Sequence, residues 1–415
     1  MSGSCFSQNS RSVVRIVKVG ERYQLEVNGR EFPVKGAVGK MHLEKLVEAG
    51  GNSIRAGIED LDRAHSLGLM VLAGLPFGKP RWGFDYTNEK QVEEQFQSVL
   101  QIVRSYKNHP ALLMWAVGNE LEINTTPEQR VPLWRAVNQA AEAIKEEDGK
   151  HPVITPIGDQ YRFMLHELDE YCPALDAVGL NSYVDMLTLP EDVVRNGWTR
   201  PYVVTEFGPR GHWQVEKTPW GMPIEDTSTE KAEFYLKAYY HAVEGRPQCI
   251  GAFAFHWANH HEKTHTWYGM FLPDGSPTGA VDVMTYLWTG KWPANRCPRI
   301  GQGRITVEDH SGKRIKDPAI LRSGTRIRCT VDADDPDGDP LTIKWDLRVD
   351  VADNPNVGGD REDPVPPIEG AVVWANGMEA VIQLPQESGK YRLFVYVYDD
   401  KGSAATANVP LLAEP

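Results

Sequence analysis

Eight short apolar runs, separated by longer stretches, constrain this chain more than any other feature. They are Phe32–Ala37, Ser53–Ala56, Met70–Leu75, Leu112–Val117, Pro152–Pro156, Ala177–Leu180, Tyr202–Thr205 and Ile250–Phe255. Most are apolar throughout rather than alternating, the pattern of a strand buried on both faces of a parallel sheet. Between them, Glu89–Tyr106, Pro127–Glu147 and Thr229–Val243 repeat apolar residues at three and four, as amphipathic helices do. Strand and helix alternating eight times predicts an α/β fold, a (β/α)8 TIM barrel. The first two helical connections are short, so the early barrel is trimmed. Upstream, residues 13–33 alternate apolar and polar around Gly20-Glu21-Arg22 and Asn28-Gly29, which predicts a β-hairpin capping the barrel.

After Trp292-Pro-Ala-Asn295 the pattern changes to short alternating runs between Asp/Pro/Gly turns: Arg326–Ala333, Leu341–Leu347, Val372–Val373, Ala380–Leu384 and Tyr391–Tyr398. These predict a C-terminal all-β, immunoglobulin-like sandwich. The expected organisation is therefore an N-terminal tail and hairpin over 1–33, a barrel over 34–296 and a sandwich over 297–415. The acidic turn Asp332–Asp339 resembles that of PKD and cadherin-like modules. Its aspartates suit oxygen coordination of Ca2+, but a solvated turn needs the same Asp, Pro and Gly for its geometry, and that is the plainer reading.

At 415 residues the chain suits a barrel of about 250 residues plus a smaller module. A net charge of −13 argues against a nucleic-acid partner, which requires a basic footprint. No apolar run is long enough to span a membrane, and the start lacks the apolar core of a signal peptide. The protein is thus either cytoplasmic or missing a cleaved leader, in which case Cys5 is a candidate for lipidation. The five cysteines, Cys5, Cys172, Cys249, Cys297 and Cys329, are too scattered for a disulfide or metal framework. Phosphate-binding glycine loops and the Gly-x-Ser-x-Gly elbow are absent, and no cofactor is expected.

Two glutamates carry the chemistry. Glu120 ends Leu112-Leu-Met-Trp-Ala-Val-Gly-Asn-Glu120, and Glu206 lies in Pro201-Tyr-Val-Val-Thr-Glu-Phe-Gly208. Burying a carboxylate is costly, so a glutamate closing an apolar strand demands a reason. Placed on strands four and seven, the two would face each other at the carboxyl-terminal rim, where such barrels keep their active sites. A carboxylic acid paired with a carboxylate is what cleavage of a glycosidic bond requires. Twelve tryptophans suit a sugar cleft, because an indole face stacks on the apolar face of a sugar ring.

Lys107-Asn-His-Pro-Ala-Leu-Leu-Met-Trp-Ala-Val-Gly-Asn-Glu120 resembles the acid/base strand of the glycoside hydrolase family 2 barrel, within clan A, and Thr205-Glu-Phe-Gly208 resembles its nucleophile strand. The resemblance covers about residues 13–290. It implies a retaining mechanism with Glu120 as acid/base and Glu206 as nucleophile. Asn119 would bind the hydroxyl beside the anomeric carbon, Arg55 would support the ionised Glu206, and Tyr183 would donate to it. Trp257, after Ala252-Phe-Ala-Phe-His256, would floor the subsite of the reacting sugar, with His256 and Trp213 as further sugar contacts.

The chain departs from that family by placing its sandwich after the barrel, with only a hairpin before it. A more open cleft is expected, with action on a glucan-like oligo- or polysaccharide by hydrolysis or transglycosylation. A polymeric substrate and a PKD-like module favour an extracytoplasmic location. The Gly/Pro/Trp-rich segment Phe207–Ser228 is expected to form an active-site loop.

Two other readings compete. His261-Glu-Lys-Thr-His265 fits the His-Glu-x-x-His pattern of zinc hydrolases, which requires a helix and a third ligand. No apolar face of helical period surrounds it, so a polar loop is the expected structure and no metal is assigned. A glycan-binding barrel without catalysis is the other alternative.

Overall fold

The computed structural model describes residues 11–315, 318–355 and 362–415; Cys5 lies outside them. By internal contacts the chain divides into two compact units, one of residues 1–207 and 237–255, the other of residues 208–236 and 256–415. This division differs from the boundary expected near residue 296: the segment after the seventh barrel strand and everything after the eighth group with the C-terminal strands.

In the first unit an antiparallel sheet of β1 (Val14–Val19), β2 (Arg22–Val27) and β3 (Arg30–Glu31) precedes a closed parallel barrel. Its tight turn at Asn28-Gly29 has φ of 53° and 74°, the two positive values that a hairpin turn of matching twist requires. The barrel strands are β4 (Val34–Val38), β5 (Ser53–Ala56), β6 (Met70–Leu75), β7 (Leu112–Val117), β8 (Val153–Gly158), β9 (Ala177–Ser182), β10 (Tyr202–Phe207) and β11 (Cys249–Ala254). They pair in sequence order, and β11 closes onto β4. The first two helices, α1 (Leu43–Glu48) and α2 (Leu61–Ser66), have only six residues each, whereas α3 (Glu89–Tyr106) and α4 (Pro127–Glu147) are full length.

The hairpin seals the amino-terminal mouth. Val14, Leu25 and Val27 join Met70, Leu72, Met114, Ile154, Val203 and Phe253 in one apolar cluster. Val14 N–H donates to Lys150 O just before β8, and Tyr23 N–H to Pro247 O just before β11. With that end plugged by apolar contact, the opposite rim is left for polar side chains.

The second unit contains a helix over Gly279–Thr289 and two four-stranded sheets. One has the order β12 (Arg299–Glu308), β14 (Arg326–Asp334), β17 (Glu379–Gln383), β16 (Val372–Asn376). The other runs β13 (Ala319–Arg322), β19 (Ala404–Glu414), β18 (Gly389–Tyr398), β15 (Thr342–Val349). Ile327, Cys329 and Ile382 of the first sheet share a core with Leu347, Leu393 and Val409 of the second, which makes the pair a sandwich. In the acidic turn, carboxylate oxygens of Asp335, Asp337 and Asp339 lie within 4.8 Å of one another. Asp335 Oδ1 accepts from the Asp337 and Asp339 backbone N–H groups, the bonding of an ordinary Asx turn.

The same unit holds the segment expected to be an active-site loop. Its Glu225 is buried and accepts from Lys231 Nζ at 2.5 Å, Thr264 Oγ1 at 2.6 Å, Thr266 Oγ1 at 2.8 Å and Asn408 Nδ2 at 2.7 Å. Burial pushes this carboxyl up, but Lys231 and Arg392 more than offset it, and it stays below its usual range. The segment is therefore anchored on a buried ion pair and on sandwich strand β19. Among the described residues no helix is long and apolar enough to cross a membrane.

Candidate active site

Six side chains from β5, β9 and the residue just after it, β10 and the turn after β7 converge at the carboxyl-terminal rim. Glu206 sits near the end of β10, paired in register with Asn181 of β9 after a shift between Val204 and Glu206. Such an irregularity re-aims a strand-end side chain. Arg55 Nη1 donates to Glu206 Oε1 at 2.6 Å, and Tyr183 Oη to Glu206 Oε2 at 3.0 Å. Both carboxylate oxygens thus have a donor.

Glu120 lies three residues beyond β7 with φ of 50°, left-handed backbone that is uncommon for a residue with a Cβ. Two backbone bonds hold it there: its N–H donates to Pro156 O at 2.9 Å, and its carbonyl accepts from Arg81 Nη1 at 2.6 Å. Strain of this kind persists only where the surroundings over-determine it, and it clusters at functional sites.

Asn181 joins the two glutamates. Its Nδ2 donates to Glu120 Oε1 at 2.9 Å and to Asn119 Oδ1 at 3.0 Å, while its Oδ1 accepts from Thr205 Oγ1 at 2.7 Å. Arg55 Nη2 donates to Asn119 Oδ1 at 2.6 Å. The chain of contacts runs Glu120, Asn181, Asn119, Arg55, Glu206, Tyr183. With Asn119 Oδ1 taken by two protein donors, its Nδ2 is the group left to meet a ligand.

Glu206 is pulled in two directions. Burial pushes its carboxyl up to about 7, with the Glu120 charge acting the same way, against the downward pull of Arg55 and Tyr183.

Glu120, Glu206, Arg55, Asn119 and Tyr183 all fall in this one constellation, as their positions in the sequence suggested. Asn181 does too, although it was not singled out. The remaining three expected sugar contacts belong to the second unit. Trp257 has no exposed surface and packs against Phe271 and Trp288 at ring distances of 5.2 and 5.7 Å. Its indole is enclosed by its own unit's aromatic side chains, and it is not among the residues that converge on the two glutamates. His256 lies 5.0 Å from His260 between ring centroids, and burial pushes its imidazole down to about 3, so it stays neutral. Trp213 is 45% exposed, its indole against His212.

The zinc reading fails on backbone geometry. Residues 261–265 are not helical; Glu262 and Thr264 form an isolated β-bridge, and Lys263 has φ of 63°. His265 Nε2 is bonded to Tyr396 Oη at 2.7 Å, and the Glu262 carboxylate is paired with His212 and His260. Without a helical turn the two histidines and the glutamate cannot take up the arrangement that the motif supplies.

Residues 55–216 match the family model described as glycosyl hydrolases family 2, TIM barrel domain. Over that segment the barrel resembles a family 2 barrel. The matched segment runs from Arg55 past Glu206 and so contains the whole constellation. No curated protein matches the chain in sequence. Among solved structures, a β-glucuronidase from Bacteroides uniformis is 15% identical at a TM-score of 0.50, covering 97% of this chain and 48% of that one. A second structure from the same organism, β-glucuronidase 2 covalently bound to a cyclophellitol-6-carboxylate aziridine, is 14% identical at a TM-score of 0.50, with the same coverage. A family 2 β-galacturonidase from Eisenbergiella tayi, bound to galacturonate, is 17% identical at a TM-score of 0.50, covering 67% of this chain and 54% of that one. The chain thus spans about half the length of the structures it resembles, and at these identities the likeness is one of fold.

Proposed function

We propose that the chain is a retaining β-glycosidase in which Glu206 is the nucleophile and Glu120 the acid/base. The supporting observation is the asymmetric wiring of the two carboxyls. Glu206 receives a guanidinium and a phenol, which favour its ionised form against the cost of burial, whereas Glu120 receives a neutral amide on one oxygen.

In the first step Glu206 attacks the anomeric carbon as the bond to the leaving oxygen breaks, and Glu120 passes its proton to that oxygen. In the second, Glu120 takes a proton from an incoming hydroxyl whose oxygen attacks the same carbon and releases Glu206. Water as acceptor gives hydrolysis; a sugar gives transfer. Asn119 Nδ2 binds the neighbouring sugar hydroxyl, and Arg55 balances the charge that Glu206 carries between turnovers.

The finer reading, action on a glucan-like chain outside the cytoplasm, belongs to the same proposal. Trp82, on the loop after β6, is 63% exposed and suits stacking against a sugar. Because the three solved structures named above are two β-glucuronidases and a β-galacturonidase, uronides belong in the trial beside glucans and β-galactosides. Products from such a panel are expected to vanish in Glu206→Gln and to be unaffected by a chelator. Products that persist in Glu206→Gln would refute the nucleophile assignment; loss with chelator would return a metal mechanism to consideration. Binding without any product would favour the non-catalytic reading.

A further inference from the structure

Two residues past the proposed acid/base lies a second glutamate that the mechanism does not use. Glu122 is fully buried. Its Oε1 accepts from the Gly158 backbone N–H, at the end of β8, at 2.7 Å, and its Oε2 has no partner. Across the same turn, Arg81 holds the Glu120 carbonyl through Nη1, while its Nε and Nη2 are buried and also without partners. A buried donor or acceptor left unsatisfied is costly, and here a carboxyl oxygen and two guanidinium nitrogens are left so around one residue. Glu122 O accepts from Thr125 N at 3.1 Å, which keeps the turn wound.

We propose that Glu122 and Arg81 are positioning residues for Glu120. Together they clamp its left-handed turn between β8 and the loop after β6, so that its free oxygen meets the leaving oxygen. The inference rests on the acid/base reading of Glu120. Glu122 reaches β8 through Gly158, two residues from the Pro156 carbonyl that holds Glu120 N–H. The clamp is therefore built on a rigid strand, as precise placement of a proton donor requires. A glutamine at 122 preserves the shape and the acceptor for Gly158 but puts an amide nitrogen, which cannot accept a hydrogen bond, where the second oxygen stood.

The test compares two β-glycosides of one sugar, taken from the class that the wild type accepts. One has an alkyl leaving group that needs a proton; the other has a dinitrophenyl leaving group that departs without one. Expected for Glu122→Gln is a fall in kcat/KM of about tenfold or more on the alkyl glycoside, against less than about twofold for glycosylation by the dinitrophenyl glycoside. Arg81→Gln should show the same split, and serves alone if the first variant does not fold. Because each ratio is taken within one protein preparation, loss of folded material cancels. Equal losses on both substrates, or none on either, would overturn the proposal. A wild type inactive on every glycoside would overturn the acid/base reading beneath it instead.

Discussion

At the scale of single residues, the function rests on unequal surroundings for two like groups. Replacing Glu120 by Gln is expected to lower kcat/KM on alkyl glycosides by about 10²–10⁴-fold, the usual worth of a placed proton donor, and to spare activated aryl glycosides in the glycosylation step. Since burial raises Glu206 to about 7, and a protonated nucleophile cannot attack, kcat/KM should climb as pH rises through that value; a profile already flat by about pH 5 would contradict this. Glu122 gives a stability test of opposite sense. Burial raises its carboxyl from 4.5 to about 8, so across that window the folded chain holds a proton that the unfolded chain releases. Stability therefore falls as pH rises through it. Glu122→Gln lacks that loss, and its Tm relative to wild type should increase from about pH 5 to pH 8 even as its activity on alkyl glycosides drops. Glu120 and Glu206 were legible because a carboxylate at the end of an apolar strand has few benign explanations. Asn181 and Glu122 were not. An asparagine near a strand end is ordinary, and a glutamate in a turn reads as solvent-facing until the structure shows it buried.

At the scale of elements, the barrel was readable because each strand is buried on both faces and so appears as an unbroken apolar run. All eight runs became strands with ends within two residues of those expected, and the two short early connections became α1 and α2. Three sandwich strands, β12, β13 and β19, were missed. β19 is Ala-rich and buried almost throughout, so it has no alternation, and it carries Pro410, which argues against a central strand. The structure accommodates that proline because the ladder to β13 begins one residue later, at Leu411. Inside the barrel, glycine makes room for bulk. A Cβ at Gly36 of β4 would fall 2.3 Å from the Phe253 ring of β11. Gly36→Ala should thus cost about 1–3 kcal/mol through overpacking, measurable by urea denaturation. An unchanged midpoint would mean that the ring shifts freely.

At the scale of the whole chain, the division into two units was not legible, because it depends on contacts that cross the sequence boundary. Lys231–Glu225, a pair inside the second unit, illustrates this: both lie in segments that read as part of the barrel, yet Glu225 also bonds Asn408 of the last strand. Lys231→Met removes the cation bonded to a buried carboxylate and should destabilise the second unit by about 3–5 kcal/mol, read as a lowered Tm. The activity brings the account to its most direct test. Proton NMR of the first sugar released from a β-glycoside, recorded before mutarotation, reports the configuration of the product. The double displacement through Glu206 predicts that the β-anomer appears first. Initial release of the α-anomer would mean that water attacks directly, and Glu206 would then not be a nucleophile.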